Sequence, residues 1–165
     1  MREQFEQRGY YQLKEAAALD LIDLDSFRLL NNEERQRDNG KNDVDPALDL
    51  RMETFARYLE EKYVRPHWPN ATYNYYNVWD GVDKDNQGWH TDFMEGYDIF
   101  FLYYFDDASP DTGGNICFRY GKQENEFYPQ AGDLFLVSNQ RGFWHKAGAT
   151  TVQRRVASFN FNTNE

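Results

Sequence analysis

Residues 98–105 form the stretch DIFFLYYF, and this stretch decides the predicted fold class. Aromatic and branched apolar side chains dominate it, a composition that favours a strand over a helix. Six further short segments share this composition, and clusters of Gly, Asp and Asn separate them: residues 72–79, 88–93, 115–120, 133–137, 143–147 and 154–161. Short strands with turn residues between them are typical of an antiparallel sandwich or barrel. The sequence therefore predicts a mainly β fold.

The part of the chain before these strands predicts helices that pack on the outside of the sheets. Apolar residues between positions 5 and 30 recur at loosely helical spacing, whereas residues 31–45 are almost entirely polar and predict a loop. Asp45 and Pro46 form a favourable N-cap and first residue for a second helix. Apolar side chains then follow at steps of three or four and define one face: Leu48, Met52, Phe55, Leu59 and Tyr63. This helix should end by Arg65, because the next residue is a proline.

Length and composition limit the class of protein. The 165 residues suit one domain, with a helical support region at 1–66 and a β core at 70–162. The 28 acidic and 18 basic residues give a net charge of -10, which disfavours nucleic acid and anionic membranes as partners. Cys117 is the single cysteine, and no apolar run has the length of a membrane span or a signal-peptide core. These observations predict a soluble protein of a reducing cytoplasm.

A candidate metal site begins with His90 and Asp92, which are two residues apart. On a strand, side chains at that spacing point to the same face and can converge on one ion. His145 follows the predicted strand at 133–137 and the next turn, and it supplies a second imidazole. Two His and one carboxylate are typical of the facial triad of non-haem Fe(II) sites, which leaves three positions open. Two alternatives remain: His90 and Asp92 lie on a solvated strand face, or His145 is a hydrogen-bonded structural residue.

The last predicted strand contains an arginine that alternation places inside the barrel. Arg155 shares one face with three apolar side chains, Ala157, Phe159 and Phe161, and the other face is more polar. An inward guanidinium requires an anionic partner, and a dicarboxylate ligand would provide one. In the alternative interpretations, Arg155 pairs with a buried Asp or Glu, or the inward face is the one that carries Arg154.

Several of these residues belong to short motifs that resemble a known family when they are taken in order. The motifs are His90-Thr91-Asp92, YYFD at 103–106, GGNI at 113–116, PQAGD at 129–133, and His145 followed ten positions later by Arg155. Together they resemble the signature of the prolyl-4-hydroxylase-like 2-oxoglutarate/Fe(II) oxygenases. The resemblance covers roughly residues 73–161, and the segment KAGAT at 146–150 departs from it because many members have valine and proline there.

The resemblance implies a double-stranded β-helix, or jelly roll, with the N-terminal helices packed outside. It implies that His90, Asp92 and His145 hold Fe(II), that Arg155 binds the distal carboxylate of 2-oxoglutarate, and that Tyr104 donates a hydrogen bond to that carboxylate. Dioxygen would be the other co-substrate, with ascorbate as a reductant.

The implied reaction couples oxidative decarboxylation of 2-oxoglutarate to succinate with hydroxylation of a C–H bond. The substrate would be a prolyl residue of a peptide or protein, or a small molecule. The presence of Asp92, where halogenating relatives have a small residue, argues against halogenation. Two other classes of function remain as alternatives: a jelly-roll module that binds a ligand without turnover, and a metal cupin, which would not need Arg155. The loop at 80–88 is expected to be either a substrate lid or a solvated hairpin loop.

Overall fold

The computed structural model of the chain describes residues 1–15, 46–82 and 84–165, and these residues form a mainly β fold. Two helices named here α1 (Arg2–Arg8) and α2 (Pro46–Leu59) lie in the N-terminal part, and α2 continues into a π-helical turn, Glu60–Val64. The described part of the chain contains eight strands: β1 (Tyr10–Lys14), β2 (Thr72–Gly81), β3 (Ile99–Tyr104), β4 (Ile116–Tyr120), β5 (Gln123–Phe127), β6 (Asp133–Ser138), β7 (Phe143–Ala147) and β8 (Arg154–Asn162).

The strands form two antiparallel sheets that face each other. The five-stranded sheet has the order β1-β6-β3-β8-β2, and the three-stranded sheet has the order β5-β4-β7. Neighbouring strands in both sheets are mostly distant in sequence, as a double-stranded β-helix requires. The predicted jelly-roll class is therefore confirmed.

The two helices cover the outer face of the five-stranded sheet. The apolar face of α2 is fully buried, and Phe55 at its centre packs edge-on against Tyr103 of β3 and Phe159 of β8 at centroid distances of 5.2 and 5.3 Å. Edge-to-face ring pairs at this distance are favourable beyond the area that they bury. The helices thus stabilise one side of β3 and β8 and leave the other side to the space between the sheets. Within the described residues, no helix has the length and apolarity needed to cross a membrane.

Two of the predicted elements are wrong, and one strand was missed. Residues 10–14, which were expected within a helix, form strand β1, because the left-handed Gly9 (φ 77°) caps α1 and ends it. Strand β5 was not predicted, because its sequence QENEF contains one apolar residue and lies mostly exposed. Residues 88–93 do not form a strand; a single bridge at His90 is followed by a 3-10 turn, Phe93–Glu95. The predicted loop at 31–45, and most of the predicted helix at 5–30, lie outside the described residues.

Candidate metal centre

The two histidines of the candidate triad are brought together by a backbone bridge between distant segments. The N–H of His90 donates to the carbonyl of His145 at 3.0 Å, and the N–H of His145 donates to the carbonyl of His90 at the same distance. Their imidazole rings lie 4.3 Å apart between centroids. Directly opposite residues of an antiparallel bridge have their side chains on the same face, so both rings point into the space between the sheets.

The carboxylate of Asp92 completes the cluster. Its oxygens lie 3.9 Å from His90 Nε2 and 3.5 Å from His145 Nε2, and the candidate ligand atoms of the three residues all lie within 4.8 Å of one another. The Nδ1 of His90 lies 2.8 Å from the carbonyl of Gly88. That carbonyl can only accept, so Nδ1 is the protonated nitrogen and Nε2 is left with a lone pair for a metal. This donor set fits a divalent transition metal with open positions, as a facial triad does.

A buried asparagine holds the turn that carries Asp92. Asn139 follows β6, and its Nδ2 donates to the carbonyls of Asp92 and Tyr97 at 2.7 and 2.9 Å. The hydroxyl of Tyr97 in turn donates to Asp92 Oδ2 at 2.9 Å. Asn139 and Tyr97 therefore fix both the backbone and the side chain of Asp92. No sequence signal marked either residue as a support for Asp92, because that role depends on contacts between segments that are distant along the chain.

The carboxyl of Asp92 has a pKa below its ordinary value. Burial alone raises this pKa, but hydrogen bonding and charge from His145, the hydrogen bond from Tyr97 and the nearby His90 together outweigh the effect of burial. Asp92 is therefore ionised at neutral pH, as a metal ligand must be.

The candidate triad lies at one side of a cavity of about 380 Å³ between the two sheets. The walls come mainly from β2, β3, β7 and β8, and they mix aromatic and polar side chains. Besides the triad, the lining includes Tyr75, Tyr97, Phe100, Tyr104, Arg154 and Ser158. Aromatic walls with convergent polar groups between them are common in small-molecule sites.

Arg155 does not line this cavity. Its Nε and Nη2 donate to the carboxylate of Asp106 at 2.9 and 2.5 Å, and its backbone N–H donates to the same carboxylate at 2.8 Å. Arg154 lines the cavity instead. The predicted division of β8 into two faces is right, but the choice of the inward face is wrong, and the alternative of a pairing with an acidic residue holds for Arg155. The error has a physical cause: both faces of β8 are buried, and the more apolar face packs against α2.

Tyr104 lies on the cavity side of β3, as the family resemblance implied for its contact with a carboxylate. Its Cα is paired with Val156, which shares a face of β8 with Arg154. Burial raises the pKa of the Tyr104 hydroxyl, and the charge of Arg154 counteracts part of this rise. The guanidinium of Arg154 and the phenol of Tyr104 are thus close enough to interact, and both are hydrogen-bond donors that face the cavity.

The loop that precedes His90 is hydrogen-bonded to β7 and the turn after it. The N–H of Gln87 donates to the carbonyl of Ala147 at 2.9 Å, and Asn86 Oδ1 accepts from the N–H of Ala149 at 2.8 Å. Gln87 also lines the cavity. This part of the loop therefore forms part of the cavity wall in the structure.

Two tryptophans lie directly before the two histidines and flank one arginine. The guanidinium carbon of Arg119 lies 4.5 Å from the ring centroid of Trp89 and 5.7 Å from that of Trp144. Such cation–π contacts are favourable at partly exposed sites.

Comparison with known proteins shows the fold family. A 2OG-Fe(II) oxygenase family protein from Burkholderia pseudomallei has 14% sequence identity and a TM-score of 0.70, with 98% of this chain and 88% of that chain covered. A prolyl hydroxylase from Trichoplax adhaerens, solved with a hypoxia inducible factor peptide fragment, has 12% identity and a TM-score of 0.73, with 98% and 87% covered. The non-haem alpha-ketoglutarate-dependent epimerase of nogalamycin biosynthesis has 15% identity and a TM-score of 0.71, with 96% and 79% covered.

No protein-family profile matches the chain, and no curated protein sequence matches it. The likeness is therefore structural. At this level of identity it shows that the chain has the fold of the 2-oxoglutarate/Fe(II) oxygenases, and the resemblance predicted from the motifs is confirmed for the fold.

Proposed function

We propose that the protein is an Fe(II)- and 2-oxoglutarate-dependent oxygenase that hydroxylates a C–H bond. The observation that carries this proposal is the convergence of His90, Asp92 and His145 at one side of a cavity that also contains Arg154 and Tyr104. The three side chains would hold the metal from one side, which would leave room on it for a chelating 2-oxo acid and dioxygen.

Each residue has a defined task in this proposal. His90, Asp92 and His145 would hold the metal, which when bound supplies the means to activate dioxygen and to oxidise 2-oxoglutarate to succinate and carbon dioxide. The guanidinium of Arg154 would bind the distal carboxylate of 2-oxoglutarate, because it is a permanent cation on the cavity wall. Tyr104 would donate a second hydrogen bond to that carboxylate. The role first expected of Arg155 thus passes to Arg154.

The solved structures with this fold support 2-oxoglutarate as the co-substrate more strongly than they support any one reaction product. They include a prolyl hydroxylase with a peptide fragment and an epimerase, so one fold accommodates different reactions. We expect hydroxylation, with a peptide prolyl residue or a small molecule as substrate and with ascorbate maintaining the ferrous state. A metal cupin would not need a cation in the cavity that contains the triad, and the presence of Arg154 there therefore favours the oxygenase over that alternative.

The test is anaerobic addition of Fe(II) and 2-oxoglutarate to the metal-free protein. We expect a weak visible charge-transfer band that requires both components, and succinate formation once air is admitted. His90→Ala, Asp92→Ala and His145→Ala should each abolish both signals and leave the fold intact. A ligand-binding module would give no band. Retained 2-oxoglutarate turnover in two of the three variants would refute the metal assignment.

A further inference from the structure

Strand β8 contains a buried amide whose hydrogen-bonding capacity is unused. The side chain of Asn160 is fully buried, and neither its Nδ2 nor its Oδ1 has a hydrogen-bond partner among the described residues. Buried side-chain amides are nearly always paired in native proteins, and an unpaired one is destabilising unless a ligand or water completes it.

The cross-strand register places Asn160 on the side of β8 that faces the cavity. Its Cα is paired with Phe100 on β3 and with Tyr75 on β2, and both partners line the cavity. Side chains of directly paired residues share one face of a sheet. Ser158, two positions earlier on β8, also lines the cavity.

Asn160 also lies at the metal side of the cavity. The ring of Phe100, its cross-strand partner, lies 5.3 Å from the ring of His145. Tyr97, whose hydroxyl bonds Asp92, packs against both Tyr75 and Phe100 at centroid distances of 6.0 and 5.6 Å. The amide thus lies behind a group of three rings that adjoin the candidate metal ligands.

The same face of β8 contains Arg154 six positions earlier. At a rise of about 3.3 Å per residue, the Cα atoms of Arg154 and Asn160 lie roughly 20 Å apart. Because Phe100, the cross-strand partner of Asn160, contacts His145, a ligand bound to the guanidinium of Arg154 and to the metal would point its metal-bound end towards Asn160. The polar groups on this face of β8 are thus arranged along the expected direction of the ligand.

We propose that Asn160 is a positioning residue for the co-substrate, and that its amide N–H donates a hydrogen bond to the metal-bound carboxylate of a 2-oxo acid. This inference rests on the proposed function. The amide is closed to solvent in the structure, so a ligand must displace the ring of Tyr75 or Phe100 to reach it. The unpaired amide of the ligand-free protein becomes paired in the complex, which favours the bound state.

The experiment compares Asn160→Leu with wild type in two measurements. In the first, thermal melting of the metal-free proteins should show an unchanged or higher melting temperature for the variant, because an apolar side chain of similar size removes an unpaired amide. In the second, anaerobic titration of the Fe(II) proteins with 2-oxoglutarate should show a dissociation constant at least about tenfold higher and a displaced charge-transfer band. Asn162→Leu, on the same strand but outside the cavity wall, is the control and should leave both the affinity and the band unchanged.

The outcomes distinguish a failure of this inference from a failure of the proposed function. A wild-type band with an unchanged affinity and band position in Asn160→Leu would overturn this inference and leave the proposed function standing. Absence of a band in the wild type would overturn both. If Asn160→Leu does not fold, Asn160→Ala and Asn160→Ser replace it, because they differ by one hydroxyl. Partial rescue of affinity by Ser over Ala would support a hydrogen bond to the ligand, and equal affinities would refute it.

Discussion

Arg154 and Arg155 are neighbours on β8, but their side chains lie on opposite faces of the strand and have different surroundings. Arg154 faces the cavity beside Tyr104, whereas Arg155 forms a two-point ion pair with Asp106 on the connection that follows β3. The pair with Asp106 has the planar, two-bond geometry for which a guanidinium is suited. Arg154 is therefore part of the cavity wall, whereas Arg155 joins two segments of the chain.

The first prediction separates these roles by alanine substitution. Arg154→Ala should raise the dissociation constant for 2-oxoglutarate by roughly two to four decades, because the distal carboxylate of the buried ligand loses the cation that binds it. Arg155→Ala should leave that affinity within a fewfold of wild type and lower the unfolding free energy by about 1–3 kcal/mol, because Asp106 loses the two hydrogen bonds from the guanidinium. Anaerobic titration and thermal melting of both variants provide the measurements. A larger loss of affinity in Arg155→Ala than in Arg154→Ala would contradict the assignment.

The sequence separated the two faces of β8 correctly but did not show which of them lines the cavity. Alternation separated Arg155, Phe159 and the other apolar residues from Arg154 and Ser158, and the structure has the same division. The rule that the more apolar face is the interior then chose the wrong side. A ligand cavity needs polar groups on its walls, so the face that binds a ligand is the less apolar of two buried faces. No pattern within a single strand reveals that the other face is covered by a helix.

A second prediction concerns Asn139, whose side chain donates hydrogen bonds to the carbonyls of Asp92 and Tyr97, on both sides of the 3-10 turn. Asn139→Ala removes two hydrogen bonds to buried carbonyls and should lower the unfolding free energy by about 2–3 kcal/mol. Because the turn then holds Asp92 less firmly, Fe(II) affinity should fall by roughly 10- to 100-fold. Metal titration and thermal melting of the variant test this, with the exposed Asn125→Ala of β5 as a control that should change neither. Unaltered metal affinity in a destabilised Asn139→Ala protein would show that the turn keeps its geometry without Asn139.

At the level of elements, the sequence predicted strands where apolar side chains face a buried surface. β7 was predicted with its observed bounds, and the buried β3 and β6 were predicted within one residue at each end. β5 was missed because an exposed edge strand needs little apolar content. His90 and Asp92 were expected to converge because of strand alternation, but they converge because a bridge to His145 and a turn held by Asn139 place them there.

The connection between β3 and β4 provides the third prediction, because it packs closely against the turn that leads into β8. Gly113 has φ +78°, and a Cβ on it would lie 2.1 Å from the carbonyl oxygen of Ala149. Gly113→Ala should therefore lower the unfolding free energy by about 3 kcal/mol or more, since backbone must move. Gly121→Ala is the matched control: its φ is +59° and its Cβ would meet open space, so about 1 kcal/mol is expected. Chemical denaturation of both variants gives the comparison, and equal losses would mean that the close approach at Gly113 relaxes easily.

For the whole molecule, a polar cluster joins the N-terminal strand to the helical layer. The buried carboxylate of Glu15 accepts hydrogen bonds from Tyr58, Lys62 and Tyr63 at 3.0, 2.8 and 2.6 Å. Burial alone raises the pKa of Glu15, but the bonds from Lys62 and the two tyrosines outweigh it and lower the pKa below its ordinary value. The cluster therefore stabilises the fold more when Glu15 is ionised than when it is protonated.

The fourth prediction follows from the sign of that shift. A carboxyl whose pKa is lower in the folded state contributes stability above its unfolded value, near pH ~4, and loses it as the pH falls through the folded value. Glu15→Gln should therefore lower the unfolding free energy at neutral pH by about 1–2 kcal/mol, a figure reduced because Lys62 is half exposed. The difference between variant and wild type should shrink as the pH falls below about 4. Melting curves across this range test the prediction, and a difference that stays constant with pH would rule out an ionised Glu15 as its source.

The intrinsic fluorescence of the tryptophans should report on the candidate metal site. Of the four indoles in the chain, Trp79 lines the cavity and Trp89 and Trp144 directly precede the two histidines, whereas Trp68 is buried in the helical layer. Most of the intrinsic emission should therefore arise within a short range of the candidate metal ligands. An open-shell ion such as Co(II), bound there, should quench much of this fluorescence, and the fraction that survives should resemble the blue-shifted spectrum of a buried indole, Trp68. The protein thus contains its own reporter for occupancy of the site, which needs neither a label nor a known substrate.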